Sequence, residues 1–437
     1  MQIIKKLNGQ FWLAALAFAA PFLGYLNFSA KADISVLRLI LLGCFLAVGV
    51  LLLVSGWGKK FLGPASAWLL CFLLFSGGAI FWSDNLAAGG KKWLLLFNFL
   101  GFLLLFLFFL SDWKVRQKDI VFIARALVFS GLAAGSIGWL QFLSQFWLSP
   151  AKIFAFWATK INPFFTGASL GSLVVDYPSW FFAAAGRSLL RAVAVFPDPH
   201  MLSFFLGIAA FLSLGLFWLE KKRLYLGAFI FLSLVLGCTF SRGGYLGLAV
   251  GAGVFLATTW FYLGWRAKKW LAIFCLLLIC VLFFYGQVWL ARFFSIFDLS
   301  EGSNIGRLAI WRQGLVFFAQ APLLGHGLGS YPQLVAPELL TAAPISAHNL
   351  YLEILVELGV VGLCLFLIPS WLCFLYLWRR RANGLALGAL GALVYFLVHS
   401  FFEVGIFSPA VFLEFIFILF IALIYQQKNV LPTHHTI

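Results

Sequence analysis

Apolar runs long enough to cross a bilayer recur along this chain, with basic residues punctuating their ends. Wound as a helix, about 18 to 25 apolar residues cover about 30 Å of hydrocarbon. Such runs fall near residues 10–27, 34–55, 61–82, 92–110, 119–145, 199–218, 223–238, 244–263, 270–289, 349–377, 384–401 and 409–426. With 63% hydrophobic and 10% charged residues over 437 positions, the chain lacks the polar surface of a water-soluble globule. The expected fold class is all-α: a polytopic membrane protein of about twelve transmembrane helices, forming one integral membrane domain over 1–437.

Charge sets the expected orientation. Lys5/Lys6, Lys59/Lys60, Lys114/Arg116/Lys118, Lys221/Lys222/Arg223, Arg266/Lys268/Lys269, Arg379/Arg380/Arg381 and Lys428 fall on alternate ends of successive runs. The positive-inside rule places these clusters, and both termini, in the cytoplasm. Lys91/Lys92 is the one basic pair that lands outside on this count. The formal charge of +16 is then mostly a topology signal, and no aromatic-interleaved basic patch suggests nucleic acid. The first run follows Lys5 and Lys6 as a signal peptide would, but it continues past Pro21 to Phe28, which favours an uncleaved span. Seven cysteines lie in or at the ends of apolar runs with no CxxC spacing, as expected of buried free thiols.

The outer face gathers the unusual residues. Segments 146–198 and 290–348 are expected there as two long periplasmic loops. The first mixes aromatics, Gly, Pro and isolated charges, as short interfacial helices would. The second contains Ser303–Gln320, whose apolar residues at 305, 308, 311, 315 and 318 predict an amphipathic helix. Pro322 and the glycines after it then break the run.

The loop leads into SAHNLYLEILVELGVVG, Ser346–Gly362, where a polar turn becomes a hydrophobic span. Ser346 is placed to cap the first free N–H groups, and His348 sits at the water–lipid boundary. Glu353 and Glu357 follow at i, i+4 in the apolar zone, where a carboxylate needs a partner or a wet cavity. The same face carries Arg187, Arg191, Arg242, Arg292, Arg307 and Arg312. Arg242 stands in a short Thr239–Gly244 turn whose glycines could let N–H groups converge on an anion at a helix start. Guanidinium groups grip phosphate bidentately, so the set points to a diphosphate site beside the histidine, against the alternatives of lipid phosphate or nearby Asp and Glu partners. His399 and Glu403, one turn apart, are expected as a structural pair, and His200 could line an acceptor path.

These residues resemble the O-antigen ligase superfamily. His348-Asn349, nine residues, Gly359, two residues and Gly362 reproduce its His-Asn-x9-Gly-x-x-Gly signature. Arg191–Met201 is similar to its Arg-Ala-x-Gly-Thr-Phe-x-x-Pro-Asn segment, with Ala194, Val195 and His200 as departures. Ser241-Arg242-Gly243 and Arg307-x3-Trp311 with Pro322-x2-Gly325-x-Gly327 match its arginine turn and pre-histidine loop. The resemblance implies transfer of a glycan from undecaprenyl diphosphate to an acceptor hydroxyl at the periplasmic face of the bacterial inner membrane. It implies no metal, nucleotide or other cofactor. His348 and Arg242 would be catalytic, with Arg191, Arg242, Arg307 and Arg312 on the donor diphosphate. Asn349, Trp311, Gly359 and Gly362 would support the site, the two glycines by close helix packing.

Ligation to lipid A-core is favoured by the arginine-bearing loop, by the order of the matches and by the absence of an appended domain after the last run. O-antigen or exopolysaccharide polymerisation and protein O-oligosaccharyl transfer share the histidine signature. A polysaccharide transporter or flippase is the rival class. Its usual mark, matched interrupted spans in two halves, is not visible in the sequence.

Overall fold

The structure, a computed structural model, describes residues 9–23, 39–40, 42–43, 64–97, 103, 117–166, 174–175, 179–184, 187–260, 264–265, 268–269, 287–295, 298, 302–335 and 346–426. Most of each of the expected spans near 34–55, 92–110 and 270–289 lies outside the described residues.

Four described helices are long and apolar enough to cross a membrane. They are α2 (Pro64–Gly78, continued by a 3-10 turn to Trp82), α4 (Gln117–Ser144), α7 (Pro199–Glu220) and α13 (Leu350–Arg379). Shorter apolar helices accompany them: α1 (Gly9–Leu23), α8 (Arg223–Cys238), α14 (Gly384–His399) and α15 (Pro409–Gln426). Between these lie α3 (86–97), α5 (Pro150–Phe156), α6 (Asn162–Thr166), α9 (Arg242–Thr259), α10 (Gln287–Phe294), α11 (Gly302–Gln320) and α12 (Tyr331–Val335).

Helix α7 runs through the core and is buried along most of its length. Asp198 caps it, accepting from the N–H groups of His200 and Met201 at 2.7 and 3.0 Å, and Pro199 at its first position is preset for helical φ. Helix α14 crosses α7 at backbone contact. A methyl on Gly215 would lie 2.6 Å from the Gly384 carbonyl oxygen and 2.7 Å from Gly388 Cα. Small residues substitute here for the hydrophobic drive that lipid does not supply between helices.

Short connections make neighbouring helices alternate in direction. Residues 198–200, 238–242, 348–350 and 399–409 therefore gather at one end of the bundle. The opposite end holds Lys221, Lys222 and Arg379–Arg381, with Glu220 paired to Arg125 at 2.5 Å and Lys222 at 2.9 Å.

Two expectations change. Segment 146–198 is not made of interfacial helices alone: α5, a π turn (Trp157–Ile161) and α6 are followed by a hairpin of β1 (Phe181–Ala184) and β2 (Arg187–Leu190), antiparallel with Phe181 opposite Leu190. The hairpin forms because side chains occupy its margins: Gln145 Oε1 accepts from Leu190 N at 2.8 Å, and buried Trp180 donates to the Pro197 carbonyl at 3.2 Å. Helix α11 is not amphipathic in the way its spacing predicted. Trp311, Gly314 and Phe318 face the protein, whereas Ile305, Leu308, Leu315 and Val316 are exposed on the other side, so both faces are apolar.

Candidate active site

The turn before α13 is held from several sides. Asn349, not Ser346, caps the helix, accepting from Leu352 N at 3.1 Å. Ser346 Oγ instead accepts from His348 N at 3.3 Å. His348 stands in left-handed backbone, φ 45°, which for a residue with a Cβ needs support from its surroundings. Trp311 Nε1 supplies part of it, donating to the Ala347 carbonyl at 2.8 Å. Leu350 N donates to the Ser400 carbonyl at 2.9 Å, tying the turn to the end of α14.

The imidazole meets a carboxylate that the sequence assigned elsewhere. Glu403 lies 2.9 Å from His348 Nδ1 through Oε2 and 3.1 Å through Oε1. It is thus the partner of His348 rather than of His399. His399 is buried, stacked on Phe204 at 3.7 Å between centroids, with Ser241 Oγ 3.1 Å from Nε2 and the Tyr395 hydroxyl 3.2 Å from Nδ1. The negative charge of Glu403 raises the His348 pKa against burial and the positive charge of Arg307. Burial resists ionisation of Glu403, but the facing imidazolium and its hydrogen bond prevail and hold the carboxyl below the usual range. With the Nδ1 proton directed at Glu403, Nε2 is left with the lone pair on a side chain that is 41% exposed.

The arginines divide by environment. Arg191 is buried, donating through Nε to the Thr239 carbonyl at 2.7 Å and through Nη1 to the Ser179 carbonyl at 3.1 Å. Its Nη2 lies 3.4 Å from His200 Nε2. Burial and the charge of Arg292 push the Arg191 pKa down to about 9, so it stays charged at neutral pH. Arg242 is also buried at the start of α9, with Nη1 donating to the Ser295 carbonyl at 3.1 Å. Arg292 donates to the Phe240 carbonyl at 3.1 Å and packs over the Phe182 ring. Arg307 is half-buried and acts electrostatically on both His348 and Glu403. Arg312 is exposed on the outward side of α11, away from the face that carries Trp311. The side chain of Arg187 lies outside the described residues.

The glycines of the arginine turn serve close approach. A methyl on Gly243 would lie 2.5 Å from His399 Cδ2, and one on Gly244 2.1 Å from Ser203 Oγ. Asp198, the cap of α7, belongs to the same group. Burial and the charge of Glu403 raise its pKa to about 6, so the two carboxylates and His348 form one electrostatic unit with Arg191 and Arg307.

Gly359 is more than a packing residue. Its φ of 65° and ψ of −168° break α13 in two, in a backbone region open essentially to glycine alone. The loop 322–327 fills the break. His326 N and Gly327 N donate to the Val356 and Glu357 carbonyls, both at 2.9 Å. Val360 N and Val361 N donate to the Pro322 and Leu323 carbonyls at 2.9 and 3.2 Å. Two carbonyls and two N–H groups beside the interruption are thereby satisfied by protein, unlike the open carbonyls of an ion-binding broken helix. Gly362, one turn later, packs against the Leu358 side chain.

Sequence reasoning missed the partner of Glu353 and Glu357. It is Lys92 on α3, 2.6 Å from Glu353 Oε1 and 2.7 Å from Glu357 Oε1. Two signals could have found it: a basic residue on the wrong side by charge alternation, and two carboxylates in an apolar run that needed a cation. Among the described residues no group of three or more His, Cys, Asp or Glu is arranged to hold a metal ion.

Comparison with known proteins covers the same region. Residues 227–367 match the family described as O-antigen ligase, a stretch that contains Arg242, Arg307, Trp311, His348, Gly359 and the inserted loop. A Rickettsia conorii protein named "putative polysaccharide ligase" is 26% identical over 206 residues, 43% of this chain and 46% of that protein. The match thus spans slightly under half of that relative's length. The histidine turn, the broken helix and the loop that fills it all lie inside the stretch that is similar to the O-antigen ligase family.

Proposed function

We propose that this protein transfers a glycan from undecaprenyl diphosphate to an acceptor hydroxyl, with lipid A-core as the acceptor, at the periplasmic face of the bacterial inner membrane. The observation that carries the reading is the His348–Glu403 pair, set in an end of the bundle rich in arginine. Glu403 fixes the tautomer in which Nε2 is the base, the role a hydroxyl acceptor requires. The acceptor O–H proton passes to Nε2 as its oxygen bonds to the anomeric carbon. The bond from that carbon to the diphosphate breaks, and the diphosphate leaves with the electron pair.

Charge growing on the leaving group needs fixed cations. Arg307, half-buried and within electrostatic reach of His348, is best placed to meet it. Arg242 and Arg191 extend the positive wall behind it, each oriented by a backbone carbonyl. Arg312 faces away in this arrangement and is the weakest of the four diphosphate candidates. The basic clusters at the opposite end of the bundle support a periplasmic site, both termini being cytoplasmic on that assignment.

The test is deletion of the gene, complemented with parent or His348→Ala, followed by analysis of both glycolipid pools. A ligase defect leaves bare acceptor while long glycans accumulate on undecaprenyl diphosphate. Acceptor capped by single repeat units would assign a polymerase and overturn the acceptor proposed here. Unchanged pools with His348→Ala would overturn glycan transfer by this histidine altogether.

A further inference from the structure

The contacts of Lys92 reach beyond charge neutralisation. Its ammonium is enclosed by Glu353, Glu357 and the Phe407 ring, whose centroid lies 4.4 Å away. The second oxygen of Glu353, Oε2, accepts from the N–H of Ala347 at 3.1 Å. Trp311 holds the carbonyl of the same residue. The residue before His348 is thus gripped at both its N–H and its carbonyl, and the next residue is the histidine at φ 45°. Glu357 makes the matching contact on the loop side, where Oε1 accepts from Tyr331 N at 3.2 Å. Lys92 lies on α3, outside the stretch that matches the family, and precedes Glu353 by 261 positions along the chain.

We propose that Lys92 is a positioning residue for His348, orienting the Glu353 carboxylate so that it holds the left-handed turn which presents the imidazole. A lysine suits the task because its three donors can serve two carboxylates at once. In its absence Glu353 would lose the contact that orients Oε2, and two buried carboxylates would face each other. The turn would relax, and the imidazole would drift from Glu403. The charged groups acting on His348 are Glu403, Arg307 and Asp198, so a loosened pair would return its titration toward that of an ordinary histidine. The inference rests on the reading of His348 as the base.

Three variants separate positioning from bulk stability: Lys92→Arg, Lys92→Met, and the neutral triple K92M/E353Q/E357Q, which removes the charges while keeping side-chain size. Each is purified as the full chain in detergent. Readouts are thermal midpoint, kcat and KM for the lipid-linked donor, the pH–rate profile, and the ring 15N NMR titration of His348, assigned against His348→Ala. Lys92→Arg should retain activity within about threefold, since the charge and reach persist. The triple variant should keep the parent midpoint and donor KM while kcat falls about 10- to 100-fold, the scale of a catalytic group displaced by about 1 Å. Its rising pH limb and its His348 titration should both move to lower pH. If Lys92→Met fails to fold, the triple variant decides.

A folded triple variant with parent kcat and an unmoved limb would overturn the proposal. So would its failure to fold, which would make the cluster a requirement of the whole bundle rather than of the turn. If His348→Ala itself proves active, the assignment of the base fails, and the NMR titration alone judges the positioning: a shift in the triple variant upholds it and no shift overturns it.

Discussion

Gly359→Ala should be among the most damaging single-methyl changes in this protein. The added Cβ would sit 2.2 Å from the Leu323 carbonyl oxygen, 2.3 Å from its carbon and 2.6 Å from Leu324 N, all backbone atoms that cannot rotate aside. The backbone angles of Gly359 add strain of about 1–3 kcal/mol for any residue with a Cβ. Moving the loop away weakens the four exchanged hydrogen bonds, each worth about 0.5–1.5 kcal/mol net. If two of the four are lost, the total comes to about 2–6 kcal/mol, whose upper half exceeds what most point mutants cost. The assay is thermal unfolding in detergent combined with hydrogen exchange. The amides of His326, Gly327, Val360 and Val361 should lose protection together. Gly253→Ala is the control, because its Cβ would meet nothing within 4 Å in the middle of α9. It should be neutral or stabilising by up to about 1 kcal/mol. A Gly359→Ala protein with the parent midpoint and intact protection at those four amides would refute the crossed-over arrangement.

Removal of the base, His348→Ala, should lower transfer by about 10²- to 10⁴-fold while expression and donor binding persist, as measured by turnover of lipid-linked glycan in membranes. Because Glu403 raises the His348 pKa, transfer should rise with pH along a limb above that of a free histidine, and Glu403→Gln should move that limb to lower pH. The same pair stabilises the fold below the unfolded histidine pKa and stops doing so as pH rises through the raised one. At the acid end its contribution fades as Glu403 is protonated below the ordinary carboxylate range, so unfolding midpoints should fall off on both sides. Arg242→Lys keeps the charge but loses the fork bound to the Ser295 carbonyl, and should impair transfer more than Arg312→Lys does. For topology, a cysteine at Ser303 in a background without native cysteines should react with an impermeant reagent in spheroplasts, and one at Ala382 should not; the reverse pattern would invert the orientation.

What the sequence disclosed was what local pattern encodes. Apolar run length marked the helices, and the spacing from His348 to Gly362 marked the signature. Contacts across the chain were hidden for physical reasons. Glu403 sits one turn beyond His399, so helical spacing paired those two, yet α14 ends at His399 and the chain leaves the helical path before Glu403. Lys92 was legible only as an exception to a charge rule, since no periodicity names a partner 261 residues away. Gly359 read as a small residue for helix packing because a break inside an unbroken apolar run leaves no compositional trace. For α11, apolar residues at helical spacing were taken to define one buried face, but in a membrane protein the opposite face can be apolar as well.

The exchange of backbone partners at Gly359 also bears on how the site comes into being. Residues 322–327 leave the ribosome before α13 does, with two donors and two acceptors that have no counterpart until Val356–Val361 arrive. An uninterrupted α13 would satisfy its own amides and leave those four loop groups stranded, which water-poor surroundings penalise. Opening of the helix and seating of the loop are therefore a single event, and it must follow membrane insertion of α13. Newly made chains should accordingly pass through an inserted but inactive stage, ended by the docking of six residues.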